Sequence, residues 1–491
     1  EGVTNSERYL ARLCQNTFLS LWSYPNTYTD EGKKSEKGDG KELCDLLVVF
    51  KNHIIIFSDK DIQFKNTGNL HVDWSRWVRR AVLNSAAQVY GAEKWILEHP
   101  ERIFLDRKCK TRFPVCIPNK INTIVHRILV ARNATKRFRE YVDGPGTLII
   151  QPDIVGKDHE KMPFHVGTID KGKGLIHILD DVALDILLRE LDTISDFTEY
   201  LQKKENFISS GQLLTAAGEE ELLAFYLASS KQGEDPDFRV EAGVGAIIDV
   251  GHYQWLTSLP QYKKGKEVDK KSYAIDSLIE HFAKYALDNN HYYTTENTFD
   301  GVVIGLRELA AEKRVARRVI ANAIFEKLLT LEIGQRGVRV IQSPTNEKVA
   351  YIFIIEPIPK CAKNYDEYRN YRRGLVIAYC QSAKLLMPNL DIIIGIGIDP
   401  PGNGGSEDMV YIDTSSWTDD DYTDAKTIRN KLGIFKEENV IKYQGIDYQY
   451  PLPQKEVVEV NIDKAKKTAK SKQKKNVRKL QILARKKNRK R

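Results

Sequence analysis

Residues 38–61, GDGKELCDLLVVFKNHIIIFSDKD, decide the fold of the first part of this chain. Two apolar runs flank a short polar turn, and this pattern predicts strands over residues 43–50 and 54–60. The lone carboxylate of Asp45 interrupts the first run, and a polar cluster closes the second. Because burying an unpaired carboxylate is costly, Asp45 needs a partner or a chemical role.

Alternation along the second strand separates its side chains into two sets. Successive side chains of a strand point to opposite faces of the sheet. One face is therefore predicted to carry Ile54, Ile56, Ser58 and Lys60, and the other Ile55, Phe57, Asp59 and Asp61.

The flanking segments complete an α/β pattern. Apolar spacing predicts helices over residues 4–22 and 73–99, and a β-branched run predicts a strand over 121–131. Residues 26–41 are polar and rich in glycine and lysine, which predicts a flexible surface loop. The order helix, strands, helix, strand predicts one α/β domain over residues 1–180.

The rest of the chain divides by pattern into three further parts. Helical periodicity dominates residues 181–335, as in LDILLRELDTISDFTEYL. Strand and helix patterns alternate again over 336–460, which predicts a C-terminal α/β domain. Residues 461–491 lack the apolar density of a core and are predicted to form a disordered basic tail. The predicted fold class is therefore multidomain α/β, with a mixed sheet flanked by helices in the N-terminal domain.

The positive charge of the chain is concentrated in its tail. Residues 464–491 contain 15 Lys or Arg and no acid, whereas the preceding residues carry 60 basic against 67 acidic side chains. Such a tail can bind nucleic-acid phosphates by releasing counterions, and a solubilising role is the alternative. The candidate phosphate contacts are Lys474, Lys475, Arg478 and Lys479.

Composition argues against a membrane protein and indicates the cytoplasm. No apolar run approaches the roughly 18 residues that span a bilayer, and no secretory signal pattern is visible. The six cysteines are thinly spread and mostly lie in apolar surroundings, which predicts reduced thiols. We therefore expect a cytoplasmic protein without a membrane partner.

The polar residues of the N-terminal region fit the chemistry of phosphodiester cleavage. That reaction needs carboxylates to hold a divalent cation, and a positive side chain to steady the attacking water. In this respect the region resembles the PD-(D/E)XK, or restriction-endonuclease-like, nuclease superfamily over about residues 4–100. Asp45 matches its first acid, Lys60 its lysine, Glu7 its helix glutamate and Gln88 the helix glutamine of its RecB-type branch. The resemblance implies a Mg²⁺ site, with Mn²⁺ as the alternative metal.

One position departs from the superfamily pattern. Ser58 replaces the acid expected two residues before the lysine, and its neutral hydroxyl is a weak metal ligand. Either Asp59 takes over through a local twist or bulge, so that Asp45 and Asp59 hold the metal, or the site has lost a ligand. Glu7 also has a simpler explanation, because Thr4 and Glu7 have the spacing of a capping box.

Basic residues beside this site are candidate nucleic-acid contacts. Arg76, Arg79 and Arg80 lie among Trp74 and Trp77, and arginines beside exposed aromatic rings suit contact with phosphates and bases. Tryptophans at this spacing also anchor helices to a core, which is the alternative. The helix glutamine likewise fits an ordinary surface position.

These patterns favour a metal-dependent nuclease that acts on DNA rather than RNA, in defence against foreign DNA or in repair. The alternative is a non-catalytic nucleic-acid-binding or scaffold protein with a decayed nuclease-like domain and a basic binding tail. Another candidate motif fails, because Pro400 and Pro401 interrupt GIGIDPPGNGG where a phosphate-binding helix should begin. His165 and His177 are isolated in the sequence and are interpreted as structural.

Overall fold

The computed structural model describes residues 5–450 apart from short gaps. The gaps are 34, 36–37, 230–234, 242, 289–293, 295–297, 333, 360–361, 401–404, 437–446 and 448. The predicted basic tail, with Lys474, Lys475, Arg478 and Lys479, lies outside the described residues.

The first sheet is built from strands of the N-terminal region. Its order is β4-β1-β2-β3-β5-β8, in which β1, β2 and β3 are antiparallel neighbours and β5 and β8 continue parallel to β3. A π-helical turn, Arg79–Leu83, joins α2 to α3. The elements of this region are α1 (Asn5–Phe18), β1 (Ser23–Thr29), β2 (Lys41–Phe50), β3 (His53–Lys60), α2 (Leu70–Val78), α3 (Asn84–Glu98), β4 (Ile103–Phe104), β5 (Ile124–Ala131), α4 (Thr135–Val142), β6 (Ile149–Val155), β7 (His165–Thr168) and β8 (Ile176–Leu179).

The hairpin of β2 and β3 lies in the middle of this sheet, as its apolar sequence requires. Phe50 pairs with His53 across a two-residue turn, in which Lys51 adopts a positive φ of 52°. One face packs Ile54 and Ile56 into a cluster with the tryptophans of α2, and the other packs Ile55 and Phe57 into a cluster with α1. Both predicted strands are therefore confirmed, and so is the alternation of side chains along β3.

Strand β1 corrects the prediction of a loop that begins at residue 26. Ser23–Thr29 forms a strand that pairs antiparallel with β2, although it contains Pro25 and mostly polar side chains. Tyr24, Thr27 and Thr29 are nevertheless buried. Hydrogen bonding to the already buried β2 outweighs the weak local strand preference of this segment, because tertiary context decides most strand propensities.

The middle of the chain is mainly helical, as predicted, but it also completes a second sheet. Strands from both sides of residue 180 form that sheet in the order β10-β9-β6-β7, so residue 180 does not separate the sheets. The elements here are α5 (Asp181–Glu190), α6 (Ile194–Ser209), β9 (Leu213–Ala216), α7 (Glu219–Ala228), β10 (Ala246–Ile248), α8 (His252–Ser258), α9 (Pro260–Asp269), α10 (Tyr273–Leu287), α11 (Phe299–Ala310) and α12 (Arg314–Thr330).

The C-terminal region forms a third, mixed sheet in the order β11-β12-β13-β14. Its elements are β11 (Gly337–Gln342), β12 (Val349–Ile355), α13 (Tyr365–Leu386), β13 (Ile392–Ile398), β14 (Glu407–Asp413) and α14 (Asp419–Leu432). The glycine-rich segment noted above begins within β13, and a side chain at Gly395 would collide with Val376 and Cys380 of α13. At Gly395, the glycine therefore serves close packing of α13 on the sheet. The structure is thus α/β throughout, with mixed sheets.

The structure bears on two sequence expectations, the absence of membrane-spanning helices and the unpaired state of the cysteines. Within the described ranges, every helix is too short or too polar to cross a bilayer. The five cysteines in the described part are free thiols, and three of them, Cys14, Cys44 and Cys380, are buried. The prediction of unpaired cysteines is confirmed for these five.

Asp180 is a buried carboxyl group that caps α5. It accepts hydrogen bonds from the backbone N–H groups of Ala183 (2.8 Å) and Leu148 (3.2 Å). Burial, together with the charges of Asp181 and Glu220, raises its pKa to about 7. The folded protein therefore holds a proton on Asp180 at a pH where the unfolded chain has released it.

The stabilising contribution of protonated Asp180 is expected to disappear as the pH rises through 7. It is complete below the ordinary aspartate pKa, because there both the folded and unfolded states are protonated. In Asp180→Asn, which cannot ionise, we expect a smaller decrease in Tm between about pH 5 and about pH 8 than in the wild type. Thermal unfolding followed by circular dichroism checks this, with the exposed Asp158→Asn as control. Equal decreases in Asp180→Asn and the wild type would refute it.

Candidate functional site

Two of the predicted site residues meet at the open end of the β2–β3 hairpin. The Nζ atom of Lys60 lies 3.7 Å from Oδ2 of Asp45. The same oxygen accepts a hydrogen bond of 2.6 Å from the backbone N–H of Asp59. Asp45 is only 8% exposed, so the lysine and the backbone amide satisfy a carboxylate that water barely reaches.

Near this pair, one amide side chain joins two further acids to each other. Nδ2 of the buried Asn26, on β1, donates to Oε2 of Glu7 on α1 (3.1 Å) and to Oε1 of Glu42 on β2 (3.2 Å). Among the described residues, no donor reaches the buried Oδ1 atom of Asn26. Glu7, Glu42, Asp45, Asn26 and Lys60 are called the acidic cluster below.

A bulge between β1 and β2 explains how Glu42 enters this cluster. Thr27 pairs with Cys44, but its neighbour Tyr28 pairs with Glu42, so Leu43 is an extra residue in β2. Acids three residues apart on a regular strand point to opposite faces, and one extra residue cancels that alternation. The bulge therefore explains how Glu42 reaches Asn26 and interacts electrostatically with Asp45.

The acids of the cluster influence one another electrostatically. Burial raises the pKa of Asp45 more than the nearby Lys60 ammonium lowers it, and the charge of Glu7 raises it further. Desolvation likewise raises the pKa of Glu42, with additional contributions from the charges of Asp45 and Glu7. Carboxylates that repel each other in this way gain from a bound cation more than isolated surface acids do.

The donor set of the acidic cluster suits a hard divalent cation. The carboxylates of Glu7, Glu42 and Asp45 and the carbonyl oxygen of Asn26 are oxygen donors, which Mg²⁺ and Mn²⁺ prefer. In the described structure the three carboxylates do not all come within 4.8 Å of one another, so a shared ion would require side-chain movement. The unpartnered Oδ1 atom of Asn26 is a buried acceptor that needs a partner. Lys60 remains beside Asp45 as the positive side chain of the site.

Asp59, the predicted second metal ligand, is not brought into the cluster. Its carboxylate forms two hydrogen bonds with Arg132, from Nε (2.7 Å) and Nη2 (2.9 Å), on the face of β3 opposite Ser58. Although burial lowers the pKa of Arg132, its bonds to Asp59 raise it above the ordinary value. Strand β3 therefore keeps its regular alternation. Asp59 contacts Asp45 through its backbone N–H and not through its carboxylate.

The predicted nucleic-acid contacts lie on the surface of α2, the π-helical turn and α3. Arg76, Arg80 and Gln88 are exposed, and Arg79 pairs with Glu160. In the described part of the chain, no hydrogen bond or ion pair joins these four residues to the acidic cluster. Trp74 and Trp77 are buried, so they anchor the helix to the core, and the alternative explanation for them is confirmed.

Sequence reasoning missed Glu42 and Asn26. Glu42 is three residues before Asp45, so a strict strand pattern assigns it to the wrong face, and Asn26 falls in the segment predicted to be a loop. A second acid close to Asp45 in the sequence was the available signal, but only the bulge in β2 explains its contact with Asn26. No family model, curated protein or solved structure matches this chain.

Proposed function

We propose that this protein is a metal-dependent nuclease of the restriction-endonuclease-like type, acting on DNA in preference to RNA. The observation that carries the proposal is the contact of Lys60 with the buried Asp45, near two further acids, Glu7 and Glu42, that share the amide of Asn26. The order of α1, the three antiparallel strands, the α2–α3 helix and the parallel β5 supports the same assignment.

The side chains of the cluster have distinct roles in this proposal. Mg²⁺ held by Asp45, Glu42 and Glu7 would neutralise charge on the scissile phosphate. Lys60 would orient the attacking water, because its ammonium group lies beside the carboxylate of Asp45 and is partly accessible to solvent. Asn26 holds Glu7 and Glu42 in place through its Nδ2 atom.

The purified full-length protein tests this function directly. Incubation with linear DNA, supercoiled DNA and RNA, each with Mg²⁺, Mn²⁺ or a chelator, is expected to give cleavage only with metal, and faster cleavage of DNA. Gel electrophoresis of the products measures both the metal requirement and the choice of nucleic acid. Absence of cleavage with every metal and substrate would overturn the proposal.

One observation favours the alternative function, a nucleic-acid-binding protein without catalysis. Ser58 contributes no charge, and Asp59 is paired with Arg132. No carboxylate therefore occupies the position of the superfamily's second acid. In that case the same mixtures are expected to show salt-sensitive binding without cleavage, since counterion release drives it. Deletion of residues 464–491 is then expected to abolish the binding.

Glu42 is expected to matter for cleavage although it does not belong to the superfamily pattern. Glu42→Gln keeps an acceptor for Asn26 but removes one negative charge and a direct ligand, so cleavage at low Mg²⁺ is expected to fall by about 100-fold or more. A titration of cleavage rate against Mg²⁺ concentration should show partial recovery at high metal. Glu31→Gln, which alters an exposed acid paired with Lys41, is the matched control. If the two variants behave alike, Glu42 is not a ligand.

A further inference from the structure

A second cluster of potential ligands lies inside the protein, away from the acidic cluster. His177 on β8 pairs with Ile128 of β5, and His126, two residues earlier on β5, shares its face of the sheet. Both imidazoles are buried, with exposures of 0% for His126 and 1% for His177. Glu205 of α6 reaches the same point, and one ligand atom from each residue lies within 4.8 Å of the others.

Each of the two histidines has one ring nitrogen, Nδ1, without a hydrogen-bond partner among the described residues, and that of His126 lies near Glu205. Oε1 of Glu205 lies 3.0 Å from Nε2 of His177 and 3.8 Å from Nδ1 of His126. The second distance is too long for a hydrogen bond. Within the described residues, Nδ1 of His126 has no hydrogen-bond partner, although it is fully buried. A buried ring nitrogen without a partner requires explanation, and an ion bound by both Nδ1 of His126 and Oε1 of Glu205 would supply one.

We propose that His126, His177 and Glu205 form a zinc site that is separate from the nuclease site. Two histidines and one carboxylate are an established ligand set for Zn²⁺, whereas Mg²⁺ avoids imidazole. Ligand arms of 2.0–2.2 Å in a tetrahedron put neighbouring ligand atoms about 3.3–3.6 Å apart. The observed separations of 3.0 and 3.8 Å lie on either side of that value, so small side-chain movements suffice.

The surroundings of the site orient its ligands and balance its charge. Nε2 of His126 lies 3.0 Å from Nδ1 of His53, and the two rings are nearly parallel. If Nε2 carries the proton, Nδ1 of His126 has its lone pair free for a metal, which is how a histidine partner usually fixes a ligand. The nearby Lys204 ammonium is neutralised by Glu219 at 2.5 Å.

A small cavity adjoins His177. His177 and Lys204 line a cavity of about 20 Å³, together with Gly167 and Thr168. That volume accommodates a single water molecule. A zinc ion here would join β5, β8 and α6, and through His53 it would also brace the hairpin that carries the acidic cluster. Its expected contribution is therefore to stability.

The test uses full-length protein with Asp45→Asn, so that the acidic cluster is weakened as a competing metal site. After removal of metals with a chelator, Zn²⁺ is added, excess is removed by desalting, and bound zinc is measured by elemental analysis. We expect one zinc per chain, a raised Tm with Zn²⁺ but not with Mg²⁺, and the visible absorption of tetrahedral Co²⁺ when cobalt replaces zinc.

Two variants in the same background locate the bound metal. Glu205→Gln keeps the shape of the side chain and is expected to weaken zinc binding at least about 100-fold, because it removes a direct ligand. His159→Gln is the matched control. His159 is equally buried, but its nitrogens already contact the backbone O of Gly156 and the backbone N of Gly167. It should keep its zinc.

Two results would overturn the zinc site. One is the absence of bound zinc in the Asp45→Asn protein, which keeps all three proposed ligands, so the result does not depend on whether a ligand variant folds. The other is undiminished zinc in Glu205→Gln. Neither result bears on DNA cleavage, so the zinc site and the nuclease activity are tested separately.

Discussion

Asp45→Asn is expected to reduce Mg²⁺-dependent DNA cleavage by on the order of 100-fold or more, with the fold retained. Residues that only support a metal ligand typically contribute 10- to 100-fold, so the loss of a direct carboxylate ligand should cost at least as much. The asparagine oxygen can still accept the hydrogen bond from the backbone N–H of Asp59, which protects the hairpin. Lys60→Ala is expected to give a comparable loss of cleavage. Initial rates over a range of Mg²⁺ concentrations, with circular dichroism as a folding check, measure both effects.

The neighbouring Asp61 provides a matched control for Asp45. It is exposed, and its carboxylate accepts a hydrogen bond of 2.6 Å from Asn133 rather than contacting the acidic cluster. Asp61→Asn removes the same charge one residue beyond Lys60, and cleavage should remain unchanged. Undiminished cutting by Asp45→Asn and Lys60→Ala would remove this site from consideration.

Asp59→Ala is expected to lower the stability of the protein by about 3–5 kcal/mol, because it leaves Arg132 without its partner inside the protein. The Asp59 side chain is fully buried and that of Arg132 is 12% exposed, so water cannot replace the lost hydrogen bonds. The measurement is the change in the free energy of unfolding, followed by tryptophan fluorescence in denaturant. Trp22, Trp74 and Trp77 are buried in the N-terminal region and report on it.

Two comparisons separate this structural role from catalysis. Adding Arg132→Met to Asp59→Ala should recover much of the lost stability, since it removes the uncompensated charge. Breaking the exposed Lys41–Glu31 pair by Glu31→Ala should cost less than about 1 kcal/mol. The double variant should also keep most of its cleavage activity. A stable double variant as inactive as Asp45→Asn would instead place Asp59 in the metal site.

The sequence was most informative where local periodicity governs the structure. The spacing of apolar residues predicts the β2–β3 hairpin and the faces of Ile54, Ile56 and Lys60. That spacing works because backbone geometry sets which side chains share a face. The proximity of Asp45 and Lys60 could be predicted for the same reason, since both lie at the open end of one hairpin.

Other features could not be predicted because they depend on partners far away in the chain. Strand β1 has a sequence that favours a loop, and it becomes a strand only because β2 is beside it. Asp59 looked available as a ligand, but Arg132 of the segment after β5 occupies its carboxylate. His177 looked isolated, whereas folding brings it to His126 and Glu205.

The amino-acid sequence was enough to predict the α/β class, the central hairpin and the contact of Asp45 with Lys60, because the periodicities of helices and strands set which side chains share a face. Only the packing of distant segments determines which other side chains lie near Asp45 and Lys60. The bulge opposite Thr27 changes the position of Glu42, and Asn26 binds both Glu42 and Glu7. Arg132 binds the carboxylate of Asp59 and keeps it on the other face of β3. Bulges, strand register and long-range ion pairs are set by how separate segments pack, and no local pattern of residues encodes that packing.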